Sequence, residues 1–187
     1  MAIIREGDKT ALLIVDMQVS VIDSAWEETL IIKNTKRAVE KARESSIPVI
    51  WIQHTNKKMV RGSSGWQLVP ELTAQPGEPC LVKHYNSAFE ETFLEETLAH
   101  LGASHIVLAG ALTNECIQAT AYAALEKGYD LTLIEDAHTT GDITPENGET
   151  IRALDIIREF NIVMSIIRYP GRTSRVVSVE DLDFQYK

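Results

Sequence analysis

Ala11-Leu-Leu-Ile-Val15, closed by Asp16, is the stretch that decides the fold: five apolar residues in a row, stopped by a carboxylate. A run this short, apolar on both faces, reads as a strand covered on both sides, which is the signature of a parallel sheet between two helical layers. Downstream, Ile31, Ile32, Thr35, Ala38, Val39 and Ala42 recur on one face with charges between them, so a helix is expected over roughly 30–45. Pro48 opens a second strand, Val49 to Ile52, ending near Gln53 and His54. A third strand, Cys80 to Val82, ends in Lys83, a fourth, His105 to Ala109, at Gly110, and a fifth, Leu131 to Ile134, at Glu135 and Asp136. Ile162 to Ile167 reads as the sixth.

Helices fill the intervals. Ser87 and Glu90 have the spacing of a capping box, which predicts a helix running to Leu101 and stopped by Gly102. Another is expected from Asn114 to Lys127, and a third from Thr144 and Pro145 to Phe160. Strands alternating with helices, with no repeat and no linker, predict one α/β domain over residues 1–187: three layers, α-β-α, around a six-stranded, mostly parallel sheet. Residues 55–79 break every period with glycines and prolines, and a connection of that length reads as a lid or binding loop. The polar tail after Pro170 is either an extension onto a neighbouring subunit or a frayed end.

Composition narrows the function classes. The chain has 187 residues, 44% hydrophobic and 24% charged, enough for one sizeable core. No apolar run approaches the ~20 residues of a membrane helix, and Met1 to Thr10 lacks a signal-like apolar stretch. A net charge of −9 with scattered basic residues argues against nucleic acid. Two cysteines far apart, Cys80 and Cys116, suggest free thiols in a reducing cytoplasm rather than a disulfide scaffold. After the first strand the chain reads Asp16-Met-Gln-Val-Ser20, with none of the glycines a dinucleotide site needs.

In open parallel sheets, ligands bind beyond the carboxyl ends of the strands. Those ends carry Asp16, Gln53 and His54, Lys83, Cys116 after the fourth strand, and Asp136 and His138 after the fifth. Each has an ordinary alternative: a helical cysteine is usually a small buried hydrophobe, and a lysine a solvated charge. Together an acid, an ammonium and a thiol make an activated nucleophile. If Thr113 or Asn114 caps the following helix, Cys116 sits in its first turn, where free amides and the dipole favour a thiolate. Cys80, with no polar company in sequence, reads as structural.

These residues resemble the isochorismatase-like hydrolases. Leu13-Ile-Val-Asp16-Met-Gln18 resembles their Asp-x-Gln block, and Lys83 followed by Asn86-Ser-Ala-Phe89 their second block. Gly110-Ala-Leu-Thr113-Asn-Glu-Cys116 resembles the third, and Asp136-Ala-His138-Thr139-Thr140 is similar too, so the likeness runs from about Thr10 to Ile167. It implies strand order 3-2-1-4-5-6, with Cys116 as nucleophile, Asp16 as base and Lys83 as the supporting cation. It also implies a cis peptide between Ala111 and Leu112, and an oxyanion hole from the amides of Leu112 and Cys116. The nicotinamidase branch carries an Asp-x-His metal site after strand two, where this chain reads Gln53-His54-Thr55-Asn56, so no metal and no cofactor is expected.

The expectation is a metal-independent cysteine hydrolase cleaving a C–N bond of a small amide, closest in look to the small streptothricin-hydrolase-like members. Two alternatives stand beside it: isochorismatase, which cleaves a vinyl ether, and a non-catalytic or redox-sensing relative pairing Cys80 with Cys116. Gln18, His54, Trp66, Phe89 and Thr113 are the candidate substrate-binding residues, with Phe89 and Trp66 equally readable as packing. The expected partners are a small-molecule substrate and, from the resemblance, further copies of the chain; no nucleic acid and no membrane is expected.

Overall fold

Strand β1 (Lys9–Val15) is buried from Thr10 onward and lies in the middle of the sheet. On one side it pairs with β2 (Val49–His54), Leu12 beside Val49, and on the other with β4 (Ala103–Ala111), Val15 beside Gly110. Strand β3 (Cys80–Lys83) adds outside β2, while β5 (Asp130–Thr139) and β6 (Ser174–Val177) add outside β4. All neighbours run parallel, in the order β3-β2-β1-β4-β5-β6, the order the family resemblance implied. The computed structural model describes residues 7–146 and 148–184. Residues 1–6, 147 and 185–187 of the expected 1–187 domain, with most of the charged N-terminal stretch, lie outside the described residues.

Because side chains alternate across a strand, β1 feeds two apolar layers. Leu13 and Val15 pack with Ile50, Ile52 and Leu108 against α3 (Leu94–Leu101), α4 (Gln118–Glu126) and α5 (Ala153–Ile166). Leu12 and Ile14 pack with Val49, Trp51 and Val107 against Ile31, Ala38, Val39 and Ala42 of α2 (Glu28–Glu44). A short α1 (Val19–Ile22) joins β1 to α2. Each fully buried aliphatic side chain contributes roughly 1.5–3 kcal/mol, so the continuous run in β1 anchors the domain.

Four sequence expectations are corrected. Ile162 to Ile167 is not a strand, because α5 runs through it: Ala153, Ile157, Phe160 and Met164 face the core, while Ile162 and Ile166 are exposed. The sixth strand is Ser174–Val177, a half-buried edge too polar to stand out. Neither Thr144 nor Ser87 starts a helix. α5 begins at Ala153, whose amide donates to Asp142 Oδ1 at 2.8 Å, and α3 begins at Leu94 after turns in which Ser87 Oγ accepts from the Phe89 amide at 3.2 Å. The tail up to Phe184 packs on its own subunit: Val179, Leu182 and Phe184 are buried in the α2 layer, and Lys41 Nζ donates to the carbonyls of Val179 (2.8 Å) and Glu180 (2.7 Å).

One irregularity shapes the site edge. Leu108 pairs with Leu133 but Gly110 pairs with His138, so β5 bulges and returns to the sheet with His138 and Thr139 beside Gly110 and Ala111. Gly110 holds φ +132°, and a Cβ there would fall 1.9 Å from the Val15 carbonyl oxygen. Only glycine lets β4 pass this close to the end of β1.

Candidate active site

Three segments deliver three chemical groups to one point. Asp16 follows β1 in the left-handed region, φ 53°, a conformation Asp tolerates better than most residues. Lys83 ends β3. Cys116 lies on a single π-helical turn, Thr113–Ile117, that leads into α4. The turn closes with the Ile117 amide on the Leu112 carbonyl at 3.1 Å, and the Ala111–Leu112 peptide before it is cis. Such turns recur at functional sites because they re-aim a side chain.

Lys83 Nζ is the hub. It lies 2.7 Å from Asp16 Oδ2, 3.1 Å from Cys116 Sγ, 3.1 Å from the Tyr85 carbonyl and 3.4 Å from His54 Nδ1. Lys83 and Asp16 are 0% and 1% exposed, so the pair is held out of water. An ammonium only donates, so its contact with His54 makes Nδ1 the acceptor and puts the ring proton on Nε2. Burial first, and the Lys83 charge second, accordingly hold His54 below its ordinary pKa.

The ionisation differs from the sequence expectation. Burial pushes the Cys116 thiol up to about 12, with the Asp16 carboxylate adding to the rise and Lys83 opposing it. Burial likewise raises Asp16 above its ordinary 3.8 against the pull of Lys83. The resting cysteine is therefore a neutral thiol, not a standing thiolate, beside the Lys83–Asp16 contact. Neither expected cap is made. The Thr113 hydroxyl meets His138 Nδ1 at 2.9 Å, and Asn114 Oδ1 accepts from the Thr140 hydroxyl at 2.6 Å. What Asp16 offers is a basic oxygen: Oδ1 accepts no hydrogen bond among the described residues, and its carboxyl has a raised affinity for a proton.

Asp16 and Cys116 line a cleft of about 410 Å³, together with Leu112, His54, Lys58 and Met59. Of the five candidate substrate-binding residues, His54 alone lines it. Gln18 is fully buried and clamps the loop, its Nε2 donating to the carbonyls of His54 (3.0 Å) and Trp66 (2.8 Å) and its Oε1 accepting from the His54 amide (2.7 Å). Trp66 serves through its carbonyl, which also accepts from Gln53 Nε2 at 2.9 Å. Phe89 stacks on Tyr129, ring centroids 5.7 Å apart, inside the core. Thr113 is fully buried and starts a relay from the turn that carries Cys116: His138 Nε2 donates to Asn161 Oδ1 (2.8 Å), whose Nδ2 donates to the Glu135 carbonyl (3.1 Å). Burial lowers His138 to about 4, so the relay is neutral.

The segment 55–79 lines the cleft at its start, where Lys58 and Met59 reach it, and packs thereafter, with Val69 and Leu72 in the core. Asn56, Lys58 and Met59 have no period to announce them; Asn86 and Glu115, beside the recognised motif positions, were the legible ones. Among the described residues, no three His, Cys, Asp or Glu side chains converge as a metal-ligand set, and no helix is long and apolar enough to cross a membrane.

The isochorismatase domain model matches residues 10–167, which hold all of these groups. The chain belongs to the isochorismatase family of hydrolases. A streptothricin hydrolase of Streptomyces noursei is 29% identical over 145 residues, 74% of this chain and 57% of that protein. Nicotinamidase 3 of Arabidopsis thaliana is 27% identical over 147 residues, 70% of this chain and 73% of that one. The chain thus spans little more than half the length of the streptothricin hydrolase it matches. In three dimensions it is similar to an isochorismatase from Pseudomonas putida KT2440, with TM-score 0.82 and 27% identity, covering 95% of this chain and 93% of that one. The family assignment agrees with the sheet order and with the likeness first read from the Asp16, Lys83 and Cys116 blocks.

Proposed function

We propose that this isochorismatase-family chain cleaves the C–N bond of a small amide, with Cys116 as nucleophile, Asp16 as general base and acid, and Lys83 as the fixed cation between them. The observation that carries the reading is the contact of Lys83 Nζ with both Asp16 Oδ2 (2.7 Å) and Cys116 Sγ (3.1 Å) at the wall of one cleft. As Sγ attacks the carbonyl carbon, its proton passes to Asp16, and the Lys83 ammonium balances the charge that moves onto sulfur. The amides of Leu112 and Cys116 hold the oxyanion. Collapse breaks the C–N bond, the nitrogen leaves with the proton from Asp16, and a thioester remains. Water, deprotonated by Asp16, then releases the acid and returns the proton to sulfur.

The relative named a nicotinamidase supports amide chemistry, and the reading assigns no step to a metal. Cys80 begins β3 while Lys83 ends it, three residues or roughly 10 Å along the strand, so it stands away from Cys116 and the redox alternative gains nothing. The test is intact-mass spectrometry and turnover with amides, ureas and isochorismate, with chelator present. Turnover of an amide with a transient acyl adduct on Cys116, lost in Cys116→Ala, is expected. Full turnover by Cys116→Ala, or cleavage of isochorismate alone, overturns the proposal.

A further inference from the structure

The charges a ligand meets in this cleft are few and opposed. Asp16 is paired with Lys83, the Cys116 thiol is protonated and His54 accepts from Lys83, so the reacting groups carry no net charge. Two unpaired charges remain on the lining: the Lys58 ammonium and the Glu115 carboxylate, neither in an ion pair among the described residues. Glu115 precedes the nucleophile in the chain. Lys58 comes from the loop after β2.

That loop is unlike the rest of the chain. Residues 55–70 hold Lys57, Lys58 and Arg61 and no acidic residue, in a protein of net charge −9. The three cations are exposed, and the backbone beneath them is fixed. Asn56 Oδ1 accepts from the amides of Lys58 (2.9 Å) and Met59 (2.8 Å), and the Thr55 hydroxyl donates to the Met59 carbonyl at 3.0 Å. Lys58 brings a positive charge from this basic loop onto the wall of the cleft, in a protein of net charge −9, and draws an anion to that side. Glu115, the residue before Cys116, repels an anion from its own part of the lining and can accept N–H groups there. The rest of the lining is uncharged: the aliphatic side chains of Val21, Met59 and Leu112, the amides of Asn56 and Asn86, and the Ser20 hydroxyl, with His54 the one ring among the lining residues.

We propose that this site takes a short aliphatic amide whose far end bears a carboxylate, held by Lys58 while the amide nitrogen faces Glu115. The proposal rests on the amidase reading for its reacting bond, but not for the charge it assigns.

Three length-matched primary amides separate the charges: succinamate (anionic), butanamide (neutral) and β-alaninamide (cationic). The expected order of kcat/KM is succinamate, butanamide, β-alaninamide, with the first at least about fivefold above the second, expressed in KM and reduced by salt. Lys58→Glu inverts the order of the two charged amides, whereas Lys57→Glu, the same charge change one residue outside the lining, preserves it. A wild-type preference for butanamide or β-alaninamide, or an order that survives Lys58→Glu, overturns the proposal and leaves amide hydrolysis standing. Binding of the same three compounds to Cys116→Ala, read by ligand-observed NMR, decides the charge question without turnover. Succinamate binding that Lys58→Glu abolishes supports it even if no amide is cleaved, and equal binding of all three refutes it.

Discussion

Replacing Lys83 by Met removes the ammonium that pairs with Asp16 and leaves a carboxylate 1% exposed, with Oδ1 already without a hydrogen-bond partner among the described residues. The orphaned charge will not stay. Burial already raises Asp16 against the pull of Lys83, and without that pull the carboxyl takes up a proton on folding. The folded state then binds one more proton than the unfolded chain above the ordinary pKa of 3.8, so the loss of stability grows with pH. At about 1.4 kcal/mol per pH unit above 3.8, the penalty is at most about 4.5 kcal/mol at pH 7 and about 1.7 kcal/mol at pH 5. The upper figure matches the range of roughly 3–5 kcal/mol for breaking a buried ion pair by truncating one partner. Urea unfolding of wild type, Lys83→Met and Asp16→Asn/Lys83→Met at pH 5, 6 and 7 measures it. The single variant should lose progressively more as pH rises, and the double variant, with no buried charge left, should recover most of the loss and show no such trend. A loss equal at pH 5 and pH 7, or a double variant no more stable than the single, would refute the reasoning that Lys83 is there to hold a buried Asp16 charge.

The remaining predictions use the same geometry. In a Cys80→Ser background, iodoacetamide labelling of Cys116 should keep accelerating between pH 7 and 10, because burial holds the thiol near 12; a plateau by pH 7 would mean a resting thiolate. Gln18→Leu strips the partner from the His54 amide and removes one donor each from the His54 and Trp66 carbonyls, Trp66 keeping Gln53 Nε2, and should cost about 2–4 kcal/mol while speeding proteolysis within 55–69; a loss under about 1 kcal/mol with unchanged cleavage would show that the clamp is incidental. For His138, lowered from 6.5 to about 4 by burial, the unfolded chain binds the proton more tightly, so its contribution is complete above pH 6.5 and lost as pH falls through 4. The difference in urea stability between wild type and His138→Gln should therefore slope by about 3 kcal/mol across that window, and a flat difference would contradict the neutral relay.

The inner strands were legible because they are buried on both faces: an uninterrupted run such as Leu12 to Val15 has little alternative use. The edge was not. Ser174–Val177 is half-buried throughout and carries an arginine, while the apolar letters of Ile162 to Ile167 are divided between a helix's core face and its exposed face. The Ser87–Glu90 spacing was a true turn signal, but the chain turns again before its helix. There Thr92 Oγ1 accepts from the Leu94 amide (3.2 Å) and donates to the Ala88 carbonyl (2.6 Å). Local hydrogen bonding of this kind is decided over a few residues of backbone, below the resolution of a sequence period.

At the site, the convergence of Asp16, Lys83 and Cys116 was legible and their ionisation was not. Asp16, Lys83 and Cys116 could be named because strand ends converge by topology, whereas a pKa depends on what covers the group, and no strand-end rule contains that. The difference changes how the chemistry is read. Asp16 carboxylate, Lys83 ammonium and Cys116 thiol sum to zero charge, and so do Asp16 carboxyl, Lys83 ammonium and Cys116 thiolate. In the proposed reaction, moving the proton from sulfur to Asp16 therefore exchanges one anion for another beside the same cation, with no charge entering or leaving the buried site. A thiol near 12 and a carboxyl raised by burial are then compatible with attack at neutral pH, because the proton never has to reach solvent. Lys83, 2.7 Å from one anion site and 3.1 Å from the other, lies where it stabilises both ends of that transfer.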